Sequence, residues 1–500
     1  GQQMEAVVES ARMAAMPVLS LWTAADAWFE AQGAALGAPV DLLKYVACLL
    51  ALVPAGFVFA RLPRATPAAL KHLFSVAVSI GMATFCLGPT AWVHSFAVTL
   101  GTWLLMHLVP ARKLPAVVMI WALGYLSAGH IYRMYTDYLG WSLDYTGPQM
   151  VLTIKMTSFA FCYSDGQEVE RLKKAPEPWM DRRVRYAVVE KPSLLEFFGF
   201  AYFFTTFLAG PSFEYRTYQK YIDGSLFAAE KGIPGTLMPT LWVFAKVLAV
   251  LPGAVLYMTR MDVSFLLTED WLAMGLAEKL FWLWICSCCI RYKYYLGWFL
   301  AELSCASCGL SYNGRDKEGK IRWDRMTNVF PSGIEAGQNT HIVLSAWNVC
   351  THHWLKNYVY LRLVPSSGRA GLRVTVATFT VSAFWHGFYP GYYVFFVFLA
   401  LTQEVARECR RRFRPYFVTK NGKEETARRG KLLYDIMSAF VTSTSIAYIG
   451  ISFILLSWES AVHVFNNTYW IGCIAILAAL IFLKATRPAA TRKAKEQKQQ

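Results

Sequence analysis

His386 stands in the middle of Val374–Leu401, a run with no Asp, Glu, Lys or Arg. An ionisable side chain within a membrane-length apolar segment is costly and points to a functional site. Imidazole is also the side chain best matched to proton transfer near neutrality, and its neutral form can serve as a general base. The surrounding residues are Phe384-Trp385-His386-Gly387-Phe388-Tyr389-Pro390-Gly391-Tyr392-Tyr393. Gly387 and Pro390-Gly391 stand where a membrane helix can open and admit a ligand. Taken alone, the same residues also fit a histidine packed and hydrogen-bonded between helices.

Asn348 is the second candidate. The stretch Ser345–Arg362 reads as one helix within a segment of helical potential, His341–Leu363. An amide there can donate and accept at once, or simply cap a helix or make a turn. At i, i+4 spacing Lys356, Tyr360 and Val364 share one edge. Arg362 adds charge near the same end, ahead of the Pro365-Ser366-Ser367-Gly368 stop. This basic end suits an anionic ligand and equally suits a solvated interfacial anchor.

The elements that must hold these residues are apolar and long. Of the 500 residues, 55% are hydrophobic and only 16% are charged, against about 25% in soluble domains. Runs of about 20 apolar residues span a bilayer as helices. Leu42–Phe59, Leu73–Leu87, Val93–Val109, Leu114–Tyr132, Leu237–Met258, Val374–Leu401, Leu432–Leu456 and Trp470–Leu483 qualify or nearly qualify, and Phe197–Leu208 and Leu280–Cys289 are shorter and aromatic. The expected fold is all-α and polytopic, with roughly nine to eleven membrane-embedded helices. Three regions follow: an amphipathic interfacial segment at 1–35, one membrane domain at 36–485 and a basic tail at 486–500.

The net charge of +16 lies in loops between spans, not on one soluble face, so nucleic acid is not an expected partner. The basic stretches Arg407–Lys431 and Lys484–Lys498 are separated by two spans, and the positive-inside rule puts both in the cytosol. The intervening Asn466-Asn467-Thr468 sequon would then be lumenal. No secretory signal is visible at the start. Most of the 11 cysteines lie inside spans, and Cys305 and Cys308 form a CxxC with no second pair at zinc-finger spacing. Tyr163–Pro192 reads as a solvated cytosolic connector. Lys155 and Lys246 are charges inside spans with no partner that the sequence identifies.

Several ordered motifs carry a resemblance. Pro192-Ser193-Leu194-Leu195-Glu196-Phe197 precedes Gly210-Pro211-Ser212-Phe213-Glu214-Tyr215. Then come Tyr312-Asn313-Gly314 with Trp323-Asp324, and Trp347-Asn348 with Trp354-Leu355-Lys356 and Tyr360-Leu361-Arg362. Trp385-His386-Gly387 with Pro390-Gly391-Tyr392 closes the series. Together these resemble the membrane-bound O-acyltransferases, and more narrowly their lysophospholipid acyltransferase branch, over about residues 145 to 405.

The resemblance implies an enzyme of the endoplasmic reticulum membrane that moves an acyl group from acyl-CoA to a lysophospholipid hydroxyl, with no other cofactor and no metal. His386 would take the hydroxyl proton as the oxygen attacks the thioester. Asn348 would position a substrate or hydrogen-bond the developing oxyanion. Lys356 and Arg362 are candidates for phosphate contacts, as are Arg369 and Arg373. Trp354 and Tyr360 are candidates for packing on the nucleotide or pantetheine arm. Trp385, Glu214, Tyr215 and Asp324 complete the substrate-facing set, Glu214 for a cationic head group or a pair with a nearby Arg, and Asp324 as a helix cap or an orienter. Alternatives are a sterol, diacylglycerol or peptide acceptor, and a polytopic transporter. Head group, chain preference and oligomeric state are not encoded in these motifs.

Overall fold

A computed structural model of the chain describes residues 22–140, 142–174, 180–230, 232–364, 372–421 and 424–486. The interfacial segment before residue 22, Arg369 and the basic tail from residue 487 lie outside the described residues. The apolar runs form helices Val40–Ala60, Ala68–Leu87, Ala91–Leu108, Leu114–Thr136, Leu237–Arg260 and Lys431–Leu455. A helix at 22–36 lies beside them, its Trp22 and Phe29 rings edge-on to Phe85.

Among the described residues, five helices are long and apolar enough to cross a membrane, or six if the pair Trp458–Asn467 and Ile471–Ala485, bent by 80°, is one span. This is fewer than the sequence led us to expect, and the reason is chemical. Other long helices carry polar groups that lower their hydropathy. Thr146–Gly166 holds Gln149, Lys155 and Asp165 and is buried along most of its length. Leu276–Ser307, of which Leu280–Cys289 is only a part, runs for 32 residues and buries Glu302. The run Val374–Leu401 is two helices, Leu372–His386 and Pro390–Phe417. One short antiparallel hairpin, Val418–Asn421 with Glu424–Ala427, joins the second of these to Lys431–Leu455.

The interior is aromatic. Phe59, Phe197, Phe200, Phe203, Phe204, Tyr215, Tyr218 and Tyr221 are all buried in one cluster. The expected aromatic helix Phe197–Leu208 is shorter in fact, Leu194–Ala201, because its end is capped by a lysine. Lys155 Nζ donates to the carbonyl oxygens of Phe200 (3.1 Å) and Ala201 (3.3 Å) and to Thr206 Oγ1 (2.9 Å), against the faces of Phe200 and Phe213. A cation is favoured at a helix C-terminus, where carbonyls lack partners. The other unplaced charge, Lys246, sits 3.1 Å from Glu302, whose Oε1 also accepts from Thr327 Oγ1 at 2.8 Å.

Lys155→Met should therefore leave the Ala201 carbonyl and Thr206 Oγ1 without the donor they have here, while the Phe200 carbonyl keeps the Phe203 N–H, at about 1–3 kcal/mol for each acceptor that finds no substitute. The expected outcome is a lower thermal unfolding temperature of the detergent-solubilised protein. An unchanged unfolding temperature would exclude the capping role.

Candidate active site

Asn348 and His386 line one cavity of about 420 Å³. Its walls come from four helices, Leu276–Ser307, Leu372–His386, Pro390–Phe417 and Lys431–Leu455, and from the segment that follows His341. Thr375, Thr378, Phe379, Ser382 and His386 form a single stripe at helical spacing. The neighbouring helix contributes Phe395, Phe396, Leu399, Gln403, Glu404 and Arg407. At 1.5 Å per residue, that stripe runs about 18 Å from Phe395 to Arg407. The wall is thus apolar beside His386 and charged at its far end.

His386 is the last residue of its helix. Gly387 follows with φ of 124°, a conformation that costs glycine little and other residues much. The next helix starts at Pro390, and Gly391 N donates to the Leu456 carbonyl at 2.8 Å. A Cβ at Gly391 would stand 2.0 Å from the Ser452 carbonyl oxygen, so only glycine allows this crossing. The turn therefore ends the helix at the histidine and leaves its ring facing the cavity. The rings of Phe453, Phe396 and Tyr392 surround it at 4.9, 5.5 and 5.6 Å between centroids. His130, marked by no local sequence signal, holds the turn from behind: its Nε2 lies 3.2 Å from the Trp385 carbonyl oxygen.

The continuous helix expected over Ser345–Arg362 is broken at Asn348. Thr340–Ala346 ends, Asn348 takes left-handed angles (φ 43°, ψ 59°), and Val349–Trp354 begins. Asparagine is among the few non-glycine residues that tolerate this region. The chain then widens into a π-helical run, Leu355–Tyr360, a feature often found at functional sites. Asn328, buried and also unremarked in the sequence, fastens the break. Its carbonyl oxygen accepts from Val349 N and its Oδ1 from Cys350 N, both at 2.9 Å, while its Nδ2 lies 3.3 Å from Asn348 Oδ1.

Of the other candidates, Lys356 and Tyr360 line the same cavity as Asn348 and His386, with His341, His352 and Arg291. Lys356 makes no ion pair among the described residues. The remaining candidates do not line this cavity. Trp354 is 1% exposed and its Nε1 donates to Thr157 Oγ1 at 2.9 Å. Trp385 lies under the His386 ring, with Nε1 donating to the Met150 carbonyl at 2.9 Å. Arg362 is committed to Asp165 by two hydrogen bonds, of 2.8 and 2.5 Å, which occupy the fork that would grip a phosphate. Arg183 shares the same carboxylate, its Nε 2.9 Å from Oδ1, so the connector expected to be solvated is partly drawn inward.

Glu214 pairs with Arg182 at 3.0 Å. Tyr215 OH donates to Glu196 at 2.5 Å inside the aromatic core. Asp324 caps no helix. It lies in a loop, where Asn313 Nδ2 (2.8 Å) and Arg322 (2.6 Å) donate to its carboxylate. Burial pushes that carboxyl up, and the donors from Arg322 and Asn313 outweigh it and hold it below the usual aspartate range. Arg373 is exposed. Among the described residues, no group of three or more His, Cys, Asp or Glu side chains could hold a metal, and Cys305 and Cys308 are buried free thiols.

The sequence matches the family model for membrane-bound O-acyltransferases over residues 131–450. It is 34% identical to a lysophospholipid acyltransferase of Schizosaccharomyces pombe over 91% of this chain and 88% of that protein. It is 31% identical to a lysophospholipid acyltransferase of Saccharomyces cerevisiae over 90% of this chain and 74% of that protein. Its identity to the membrane-bound glycerophospholipid O-acyltransferase 1 of Mus musculus is 29%, over 90% of each chain.

The Asp165 cluster gives a stability prediction. Asp165→Asn leaves Arg183 and Arg362, 20% and 16% exposed, without their shared carboxylate, a loss that should stay below the roughly 3–5 kcal/mol of a fully buried stranded charge. Thermal unfolding of the purified variant should show a clear loss, while removing the exposed Arg171 (which pairs locally with Glu168) should change it by less than about 1 kcal/mol.

Proposed function

The chain belongs to the membrane-bound O-acyltransferase family and is an acyltransferase, and from that premise we propose that it transfers an acyl group from acyl-CoA to the free hydroxyl of a lysophospholipid. The observation that carries this reading is the shared cavity. One intramembrane histidine and one amide, on separate elements, face the same space. That space is aromatic beside His386, and its lining also includes Lys356, His341 and the Arg407–Glu404 pair. Both substrates have that shape, an apolar chain joined to an anionic or zwitterionic head. The named activities of the yeast relatives point the same way.

In this reading His386 accepts the hydroxyl proton as the lipid oxygen bonds to the thioester carbonyl carbon. The carbon–sulfur bond then breaks, and the sulfur leaves as CoA thiol with the proton returned from His386. The products are the diacyl phospholipid and free CoA. General-base help of this kind is worth roughly 10²–10⁴-fold. The ring is free for that duty because no hydrogen bond to another side chain occupies it among the described residues. Ser382 lies one turn before His386 on the same wall, yet direct attack needs no acyl-enzyme. The Glu404 and Arg407 end of that wall leads into the basic Arg407–Arg414 stretch, which we assign to the cytosolic side of the endoplasmic reticulum membrane, where acyl-CoA is delivered.

The test is acyl transfer by membranes carrying the full chain, with radiolabelled acyl-CoA and a panel of lysophospholipid, sterol, diacylglycerol and peptide acceptors. Label should appear in phospholipid. His386→Ala should lower turnover by roughly 10²–10⁴-fold at normal membrane abundance. Label confined to sterol or peptide, or full turnover by the His386 variant, would overturn the reading.

A further inference from the structure

The Asn348 side chain can present either its oxygen or its nitrogen to the cavity, and the two choices mean different chemistry. We infer that Asn328 settles the choice: it engages the Asn348 oxygen and so turns the amide N–H₂ toward the reacting carbonyl. This rests on the reading of Asn348 and His386 as the reacting pair.

The argument starts from a group whose polarity is not negotiable. The Cys350 backbone N–H can only donate, and it lies 2.9 Å from the end of the Asn328 side chain. That end is therefore Oδ1, and the other end is the Nδ2 donor. Asn328 Nδ2 faces Asn348 at 3.3 Å. A donor must meet an acceptor, so the Asn348 atom on that side is Oδ1. Its Nδ2, with two N–H bonds, is left for the cavity that Asn348 lines.

Asn328 itself is held in place on both sides. Its carbonyl oxygen accepts from Val349 N at 2.9 Å, and Phe330 N donates to the Ala346 carbonyl at 2.9 Å. Thr327 is tied to Glu302, the partner of Lys246. Asn328 is 4% exposed, so water does not offer its amide an alternative. The two cavity residues then have complementary polarity. Asn348 donates to the carbonyl oxygen as it gains charge, and His386 accepts the proton. Asn328 touches no substrate and acts as a positioning residue.

Three variants of the full chain separate the outcomes, assayed for kcat and KM with oleoyl-CoA and lysophosphatidylcholine or lysophosphatidylethanolamine. Asn348→Gly keeps the left-handed backbone and removes the donor, and kcat should fall on the order of 10²–10³-fold. Asn348→Asp keeps an oxygen for Asn328 but has no N–H, and should fall at least as far. Asn328→Asp still accepts from Cys350 N but cannot donate to Asn348. Its carboxylate would attract the Asn348 nitrogen and turn the amide over, so kcat should drop on the order of 10²-fold with KM for oleoyl-CoA little changed.

In the Asn348→Gly background the Asn328→Asp change should add almost nothing, the non-additivity expected of residues that act through one contact. Full activity in Asn348→Asp or Asn328→Asp, or additive losses in the double variant, would overturn the inference. Should Asn328→Asp fail to accumulate in membranes, Asn348→Asp decides the polarity without disturbing Asn328. If Asn348→Gly is fully active, the reading of Asn348 as a reacting residue falls instead.

Discussion

In hydrocarbon an unpaired donor, acceptor or charge costs several kcal/mol, and that constraint organises this molecule. Lys155 is spent on the open carbonyls at a helix end. Lys246 meets Glu302. Asp165 collects Arg183 and Arg362. Each pairing joins elements distant in sequence, so polar satisfaction and tertiary structure are the same event. Two of the side chains that line the cavity differ from these, although Arg291 and Arg407 on the same walls pair with Glu335 and Glu404. Among the described residues, Lys356 has no ion pair and His386 has rings around it instead of hydrogen-bond partners. Groups left uncommitted on a cavity wall are the ones available to a ligand.

The same constraint explains why the cavity forms where helices stop. An uninterrupted helix satisfies its own backbone and turns only side chains outward. The chain breaks twice at the cavity, at Asn348 and after His386, and both breaks are secured by bonds from elsewhere. Asn328 receives the backbone N–H groups of Val349 and Cys350. Leu456 receives that of Gly391, and His130 meets the Trp385 carbonyl. The freed backbone groups are thereby paired, which is the condition for irregular structure at membrane depth.

How much of this the sequence disclosed depends on whether the signal was local. The turn after His386 was legible, because Gly387 and Pro390-Gly391 are local breakers. The break at Asn348 was legible only as an alternative, an asparagine that caps a helix or makes a turn, because no glycine or proline lies between Ser345 and Arg362 to mark it. The bounds of the helix around Lys155, Thr146–Gly166, were not legible because it is buried along most of its length and mixes Gln149, Lys155 and Asp165 among apolar residues, so neither hydropathy nor periodicity marks it. Arg362 read as a ligand for phosphate because its partner, Asp165, lies 197 positions away. A salt bridge of that span leaves no trace in local sequence.

The candidates that do not line the cavity still bear on it. Trp385 anchors the residue before His386 to the Met150 carbonyl, and Trp354 ties the segment after Asn348 to Thr157. Met150 and Thr157 lie on one helix, Thr146–Gly166. Arg362 fastens the far end of the Asn348 segment to Asp165 on that helix as well. Three side chains from two separate motifs thus converge on a single buried element, which acts as a common rail for the histidine turn and the asparagine turn. Precise placement of two groups on different elements requires a shared rigid support. That requirement accounts for indoles and a guanidinium standing within the same short motifs as His386 and Asn348 while lying outside the space where a substrate would sit.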